Sequence, residues 1–395
     1  MKSLQAFTKE IDDLDIAIAE LDAQIDRNEL LKNSCGILFC GHETDVEELA
    51  RRIKATFDIP FIGCTALAMM NTNGYSESTI CLHILTSDEC EFKIGFTDPI
   101  AEPSDVDKIV DVYHKLHEGI EQKERVIIAY APWWSNMSYE YVIGKIDEES
   151  GGVPIYGGIA SDGWDFENLR VICNGMVSNT QAVMLLIFGD IRPIFSIGQS
   201  VSAMKEDKRT VTKADGATVY ELEGSLMIDY IKELGLDSDK DFVLTDCMAT
   251  PFVTTLKTDD GDEIDILRVL SSIDHKSGGC TFLGRVEEGS DICMVRIDKS
   301  NIIASIRQLF DDVISQINAS KDYKYSTILC SSCAARYCLT VADKEAETRG
   351  YEGRLPEGVN LQGAYMYGEL CPGIGKNYSG LYNELYNETF SVLAF

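Results

Sequence analysis

Short apolar runs alternate with amphipathic stretches along most of this chain, and that alternation limits the fold more than any other feature. Gly36–Phe39 is apolar. Asp45–Phe57 then places Val46, Leu49, Ala50, Ile53 and Phe57 on one helical face, and Ile59–Ile62 is apolar again before Gly63-Cys64-Thr65. Apolar residues spaced by three and four mark a helix with one buried side, whereas runs this short mark strands. The opening is therefore βαβ-like. Ser78–Leu85, Phe92–Phe96 and Arg125–Tyr130 continue as strands, with a helix over Asp105–Gly119 and a break at Pro132-Trp133-Trp134. Arg170–Cys173 and Ala182–Phe188 read as two strands joined by a hairpin-type turn at Asn174-Gly175. Val219–Leu234 carries a helical stripe through Leu222, Leu226, Tyr230, Ile231 and Leu234. Strands are expected at Phe242–Thr245, Ile264–Leu270, Cys280–Phe282 and Ile292–Arg296, and a helix over Asn301–Ile317. The expected class is α/β of the mixed α+β kind: two closely packed strand-rich halves with flanking helices. No Pro- or Ser-rich linker separates the halves, no short-period repeat is visible, and duplication is not established by the sequence.

Ahead of this body, Phe7, Ile11, Leu14, Ile18, Leu21 and Ile25 alternate by four and three residues, the spacing of a coiled-coil seam. Residues 1–33 are expected to form an amphipathic helix that either pairs through residues 1–30, as a homo-oligomer or with a partner, or packs on its own domain.

Composition narrows the function classes. The formal charge of −30 argues against nucleic acid and anionic membrane surfaces, both of which present phosphate. No basic leader and no long apolar run is present, so a soluble, cytoplasmic protein without a membrane span is expected. Thirteen cysteines, an odd count in a large chain, fit reduced core thiols better than a disulfide framework. Cys330 and Cys333 form a lone C-x-x-C, and with five histidines and no second pair at ligand spacing, no metal and no cofactor are expected.

The candidate chemistry lies in Ser326–Glu369. Thr327–Cys330 reads as a buried strand running into a helix that Ser331 and Ser332 can cap. Arg336 sits in the first turns, its planar fork matched to a carboxylate. Gly363–Tyr367 reads as a second strand ending at Gly368-Glu369, so an Arg and a Glu stand at neighbouring strand ends. Such a pair either grips a zwitterion such as an amino acid or closes the fold as an internal ion pair. Cys333 near Arg336 and a helix end suggests a thiolate, which keeps a cysteine enzyme or a thiol switch open, although His275 is the sole histidine in this half. A purely protein-binding scaffold is the third class.

Ser332-Cys333-Ala334-Ala335-Arg336, Gly363-Ala364-Tyr365-Met366-Tyr367-Gly368-Glu369 and Leu385-Tyr386-Asn387-Glu388-Thr389 resemble the C-terminal half of FIST-domain proteins (F-box and intracellular signal transduction). Pro154–Gly189 and Phe61-Ile62-Gly63-Cys64-Thr65-Ala66 resemble the N-terminal half, although Leu67, Ala68 and Met69 stand where the family has a small residue, a glycine and an acid. The resemblance implies a FIST N-terminal domain over 34–220 and a FIST C-terminal domain over 221–395. It also implies a sensory module that binds a small ligand, an amino acid being the expected class, and signals through a partner protein. The ligand contacts it suggests are Arg336, Glu369, Cys333, Ser332, Gly158, Asp162 and Asn387.

Overall fold

The structure is a computed structural model and describes residues 1–134, 137–202, 207–236, 247–258, 261–297, 299–374 and 380–395. It is a mixed α/β fold in which three units repeat one order of elements: strand, helix, strand, helix, strand, hairpin, strand. The first unit runs through strand Lys2–Thr8, helix Leu14–Gln24, strand Asn33–Cys40, helix Val46–Phe57, strand Phe61–Thr65, hairpin Met69–Asn71/Gly74–Ser76 and strand Ile80–Ser87. The second comprises Glu91–Phe96, Asp107–His117, Glu124–Ala131, Tyr139–Ser150, Ile155–Ile159, Val171–Cys173/Met176–Ser178 and Val183–Phe188. The third begins at Ile194–Gln199 and resumes at Lys299–Ala319. Thr327–Cys333, two short helices, Asn360–Met366, Glu369–Ile374/Leu381–Tyr386 and Thr389–Ala394 complete it.

Each unit builds a six-stranded sheet with one parallel pair at its centre and closes that sheet with a neighbour's hairpin. The first sheet takes Val171–Cys173 and Met176–Ser178, the second takes Glu369–Ile374 and Leu381–Tyr386, and the third takes Met69–Asn71 and Gly74–Ser76. The exchange therefore closes in a ring.

A glycine recurs at the same place in each parallel pair. Gly63 lies opposite Leu38, Gly157 opposite Ala129 and Gly363 opposite Cys330. A Cβ on Gly63 or Gly157 would come within 1.9 Å of the facing carbonyl oxygen, and one on Gly363 within 2.7 Å of Cys330. No side chain fits between strands at that approach.

Within the third unit an antiparallel sheet is inserted. Its strands run in the order Glu263–Arg268, Phe252–Lys257, Asp291–Met294, Arg209–Asp215, Thr218–Leu222, Gly279–Phe282 and Leu270–Asp274. A buried arginine ties it to the ring. Arg268 donates to the Leu385 carbonyl at 2.8 Å and the Arg285 carbonyl at 3.0 Å, and lies 3.3 Å from Glu140 and 3.6 Å from Glu384. Burial raises the Glu384 carboxyl to about 7 against the pull of Arg268.

Helix Val46–Phe57 forms as its pattern predicts. Asp45 accepts from the Glu48 N–H at its start, Asp58 ends it in the left-handed region, and Val46, Leu49, Ala50, Ile53 and Phe57 are buried. Removing each large apolar side chain of that face from water stabilises by about 1.5–3 kcal/mol. The parallel strands on either side of it confirm the βαβ opening.

Four local readings need correction. The coiled-coil seam fails, because Lys2–Thr8 is a strand paired along its length with Ile80–Ser87 and Phe7 faces Cys81. The helix that follows is short, Leu14–Gln24; it buries Leu14, Ala17 and Leu21 against helix Val46–Phe57 and leaves Ile16 49% exposed. Arg170–Cys173 and Ala182–Phe188 do not pair. Val171–Cys173 turns back onto Met176–Ser178 through Asn174-Gly175, and Val183–Phe188 joins a different sheet. The helical stripe at Val219–Leu234 is strand Thr218–Leu222 followed by helix Met227–Glu233. The strand continues through Ser331 and Ser332, so neither caps a helix; Cys333 holds the N-cap position without a side-chain bond. The expected strand Phe242–Thr245 overlaps 241–246, outside the described residues.

Candidate functional site

Strand ends of the second and third units meet the inserted sheet around a cavity of about 170 Å³. Trp133 enters just after strand Glu124–Ala131, Trp164 and Phe166 from the loop after Ile155–Ile159, and Tyr367 just after Asn360–Met366. Cys333, Ala334 and Ala335 line it at the strand-to-helix junction, and Asn387 from the turn before Thr389–Ala394. Met248, Val269 and Leu283 contribute the inserted sheet's side. A larger groove of about 760 Å³, between the long helix, the inserted sheet and Pro372–Ile374, is more open to solvent and receives none of these strand ends.

The aromatic rings touch one another. Phe166 stacks on Tyr367 with centroids 4.7 Å apart, Trp164 tilts over Tyr367 at 5.2 Å and Trp133 meets Phe166 edge-on at 5.7 Å. Trp164 and Phe166 have φ of 75° and 61°, a region that bulky residues enter only when the surroundings hold them there. Asp162 is the holder. Its buried carboxylate accepts from the N–H groups of Trp164 (3.1 Å), Phe166 (3.3 Å) and Asn168 (3.0 Å) and from the Tyr367 hydroxyl (2.7 Å). Asp162 thus acts on the cavity through its wall.

A buried polar cluster lies next to the Cys333 end of the cavity. Arg336 donates through Nε to Glu347 at 2.7 Å and through Nη1 to Ser200 at 2.9 Å, and Ser332 donates to the second Glu347 oxygen at 2.7 Å. Thr389 donates to Glu369 at 2.8 Å. Several atoms are left over: Arg336 Nη2, Glu369 Oε1, both carboxyl oxygens of Glu388 and Asn387 Oδ1 are buried without a hydrogen-bond partner. Burial lifts the Glu388 carboxyl to about 8, opposed by Arg336 and assisted by Glu347. It also pushes Glu369 well above the carboxylate range, with Thr389 pulling the other way and Glu388 adding to the rise. The Cys333 thiol is raised by burial and then by Glu369 and Glu388, so the thiolate expected from Arg336 and a helix end is disfavoured. His275 lies on an exposed turn.

The expected site residues separate into four sets. Cys333 and Asn387 line the cavity. Asp162 positions its aromatic wall. Arg336, Ser332 and Glu369 belong to the cluster beside it, and the acid paired with Arg336 is Glu347, not Glu369. Gly158 pairs with Glu369 across adjacent strands, where a Cβ would meet the Met366 sulfur at 2.4 Å. Sequence reasoning missed Glu347, which carries no periodic signal, and the roles of Trp164, Phe166 and Tyr367; the Gly-Trp-Asp-Phe run after Asp162 was the available clue.

The FIST N domain model matches residues 34–225 and the FIST C domain model residues 227–372. The chain belongs to the FIST-domain family. FIST domains are associated with sensing in signal transduction. Comparison with curated proteins returns no match. In this FIST protein the two matched regions interleave in space: Met69–Asn71 of the first pairs with Gln362–Ala364 of the second, and Glu369 and Leu370 of the second pair with Gly158 and Gly157 of the first. Among the described residues, no helix is long and apolar enough to cross a membrane.

Proposed function

We propose that this FIST protein is a cytoplasmic signal-transduction sensor that binds a small molecule of amino-acid size in the cavity between Trp133, Trp164, Tyr367 and Asn387. The observation that carries the reading is Asn387, which lines an otherwise apolar cavity and whose buried Oδ1 has no hydrogen-bond partner. Leaving such an atom unsatisfied costs about 1–3 kcal/mol, and a ligand donor relieves that cost. Apolar walls with a few fixed polar groups are the usual form of a small-molecule site. A cytoplasmic setting is supported by the thirteen cysteines, none of which forms a disulfide and all but Cys338 of which are buried.

Ligand occupancy is passed to a partner protein through the inserted sheet. That sheet supplies one wall of the cavity and is anchored to the second and third units by Arg268. The test is a thermal-shift screen of the full chain against a metabolite library that includes amino acids, repeated with Ala335→Leu, which fills the cavity. A compound that raises the melting temperature of the native protein and not of the filled variant is the expected result. No shift from any compound, or one that survives the filling, refutes the assignment.

A further inference from the structure

The wide groove apart from the cavity borders a strand edge that no other strand pairs. We infer that it receives an extended, lysine- or arginine-bearing segment of a partner protein, which adds as a strand to Ile194–Gln199. The groove is separate from the cavity, and its occupancy stands apart from whether the cavity holds a ligand.

The first observation is topological. Ile194–Gln199 is the outermost strand of the third unit's sheet, and Glu263–Arg268 is the outermost strand of the inserted sheet. Both border the groove of about 760 Å³, and Gln199 Nε2 joins them at one end by donating to the Asp265 carbonyl at 3.3 Å. Side chains alternate between the two faces of a strand. Ser196 and its neighbour Ile197 nevertheless both line the groove, so it runs along the edge of that strand and not over one face. Such an edge offers alternate N–H and C=O groups to an incoming chain. At ~3.3 Å per residue, ~4.8 Å between strands and ~10 Å between layers, one strand residue fills about 160 Å³. The groove therefore holds roughly five residues, close to the 6 of Ile194–Gln199. Across the groove Pro372 has no N–H to give, so the added ladder falls to Ile194–Gln199.

The second observation is a polar atom. Tyr386 lines the groove, and its buried hydroxyl has no hydrogen-bond partner among the described residues. It stands beside Gly373, where a Cβ would fall 2.0 Å from that oxygen. A hydroxyl both donates and accepts, so a polar group of the added strand satisfies it. The third is charge. Glu263, Asp265 and Asp312 line the groove, and among the described residues no lysine, arginine or histidine does. The formal charge of −30 draws cationic segments in and repels a second copy of the chain. Every second side chain of the added strand turns toward helix Lys299–Ala319, where Asp312 meets a basic one.

The experiment selects peptides from a displayed random octapeptide library against the full chain, then measures the best of them by fluorescence anisotropy. Enriched peptides are expected to carry lysine or arginine at alternate positions. They should lose binding to Ser315→Trp, which places a large ring in the groove from an exposed position of the long helix. Gln316→Trp, also exposed and lining the groove, serves should that variant misfold. Methylating the backbone nitrogens of the best peptide at alternate positions should weaken binding about tenfold in one register, the scale of one or two lost hydrogen bonds. The other register should change it little, because only one edge of the added strand faces Ile194–Gln199. Asp312→Lys should weaken binding severalfold. Ala335→Leu should leave it unchanged, so this docking site and the small-molecule cavity fail separately. No enrichment, an acidic or uncharged consensus, equal binding to the filled variants, or indifference to methylation in both registers overturns the proposal. Dimerisation of the native chain that Ser315→Trp abolishes overturns it as well, since the occupant would then be a second copy.

Discussion

Asp162→Ala is the sharpest test of how the aromatic wall is held. The native carboxylate accepts four hydrogen bonds. Two of the donors keep an acceptor after its removal: the Trp164 N–H reaches the Tyr367 hydroxyl at 3.0 Å, and that hydroxyl also donates to the Asp162 carbonyl at 3.1 Å. The N–H groups of Phe166 and Asn168 lose the acceptor that holds them. At about 1–3 kcal/mol for each stranded donor, less some relief from no longer burying a carboxylate, the loss should be ~2–4 kcal/mol. Asn at this position retains one acceptor oxygen and should recover about half of that. Urea unfolding followed by tryptophan fluorescence measures both quantities. The free-energy change reports the anchor, and the native-state emission of Trp164 and Trp133 reports the wall. The left-handed backbone at Trp164 and Phe166 should relax, moving the emission to the red in Asp162→Ala. A variant within ~0.5 kcal/mol of the native protein and with unchanged emission would show that packing alone fixes the loop.

Glu347→Gln leaves the buried Arg336 without a charged partner and should cost ~3–5 kcal/mol in chemical denaturation, whereas replacing Arg336 and Glu347 together by apolar residues should cost much less. Gly157→Ala forces a Cβ to 1.9 Å from the Ala129 oxygen and should destabilise by about 3 kcal/mol or more, read as loss of soluble protein. The carboxyls of Glu388 and Glu384 are raised on folding to about 8 and about 7, so the native state binds more protons than the unfolded chain from the ordinary carboxylate range upward. Their contribution is present at low pH and is lost as pH rises through those values; Glu388→Gln should flatten that decline in melts taken between acid and mildly alkaline pH. Deleting residues 1–30 removes a strand paired along Ile80–Ser87 and should yield unstable, aggregating protein by light scattering, where a separable coiled coil would have left a smaller soluble species.

Much of the fold was legible wherever one face of an element carries the apolar residues. Helix Val46–Phe57 and its flanking strands follow directly from spacing, as does the long helix Lys299–Ala319. The N-terminus misled because a strand and a short helix in succession imitate a heptad: Phe7 and Leu14 belong to different elements that happen to be seven residues apart. Ser332 and Arg336 both bond Glu347, and that acid partner could not be read from the sequence. Glu347 reaches Arg336 from a connecting segment, and nothing in a spacing of eleven residues predicts contact. The threefold order escaped because its units share hydrogen-bonding topology and one glycine, not side chains, and because the third is split by the inserted sheet.

The exchange of hairpins has a consequence for the protein during its synthesis. When the ribosome has made the first unit, the hairpin Met69–Ser76 has no sheet to join, since Asn360–Met366 is almost three hundred residues from being made. The sheet edge at Phe61–Thr65 likewise waits for Val171–Cys173. Open strand edges are templates for pairing with other chains, and contacts so distant in sequence form slowly. The nascent chain should therefore lean on chaperones until its last strands emerge, and should then acquire protease resistance in a single late step.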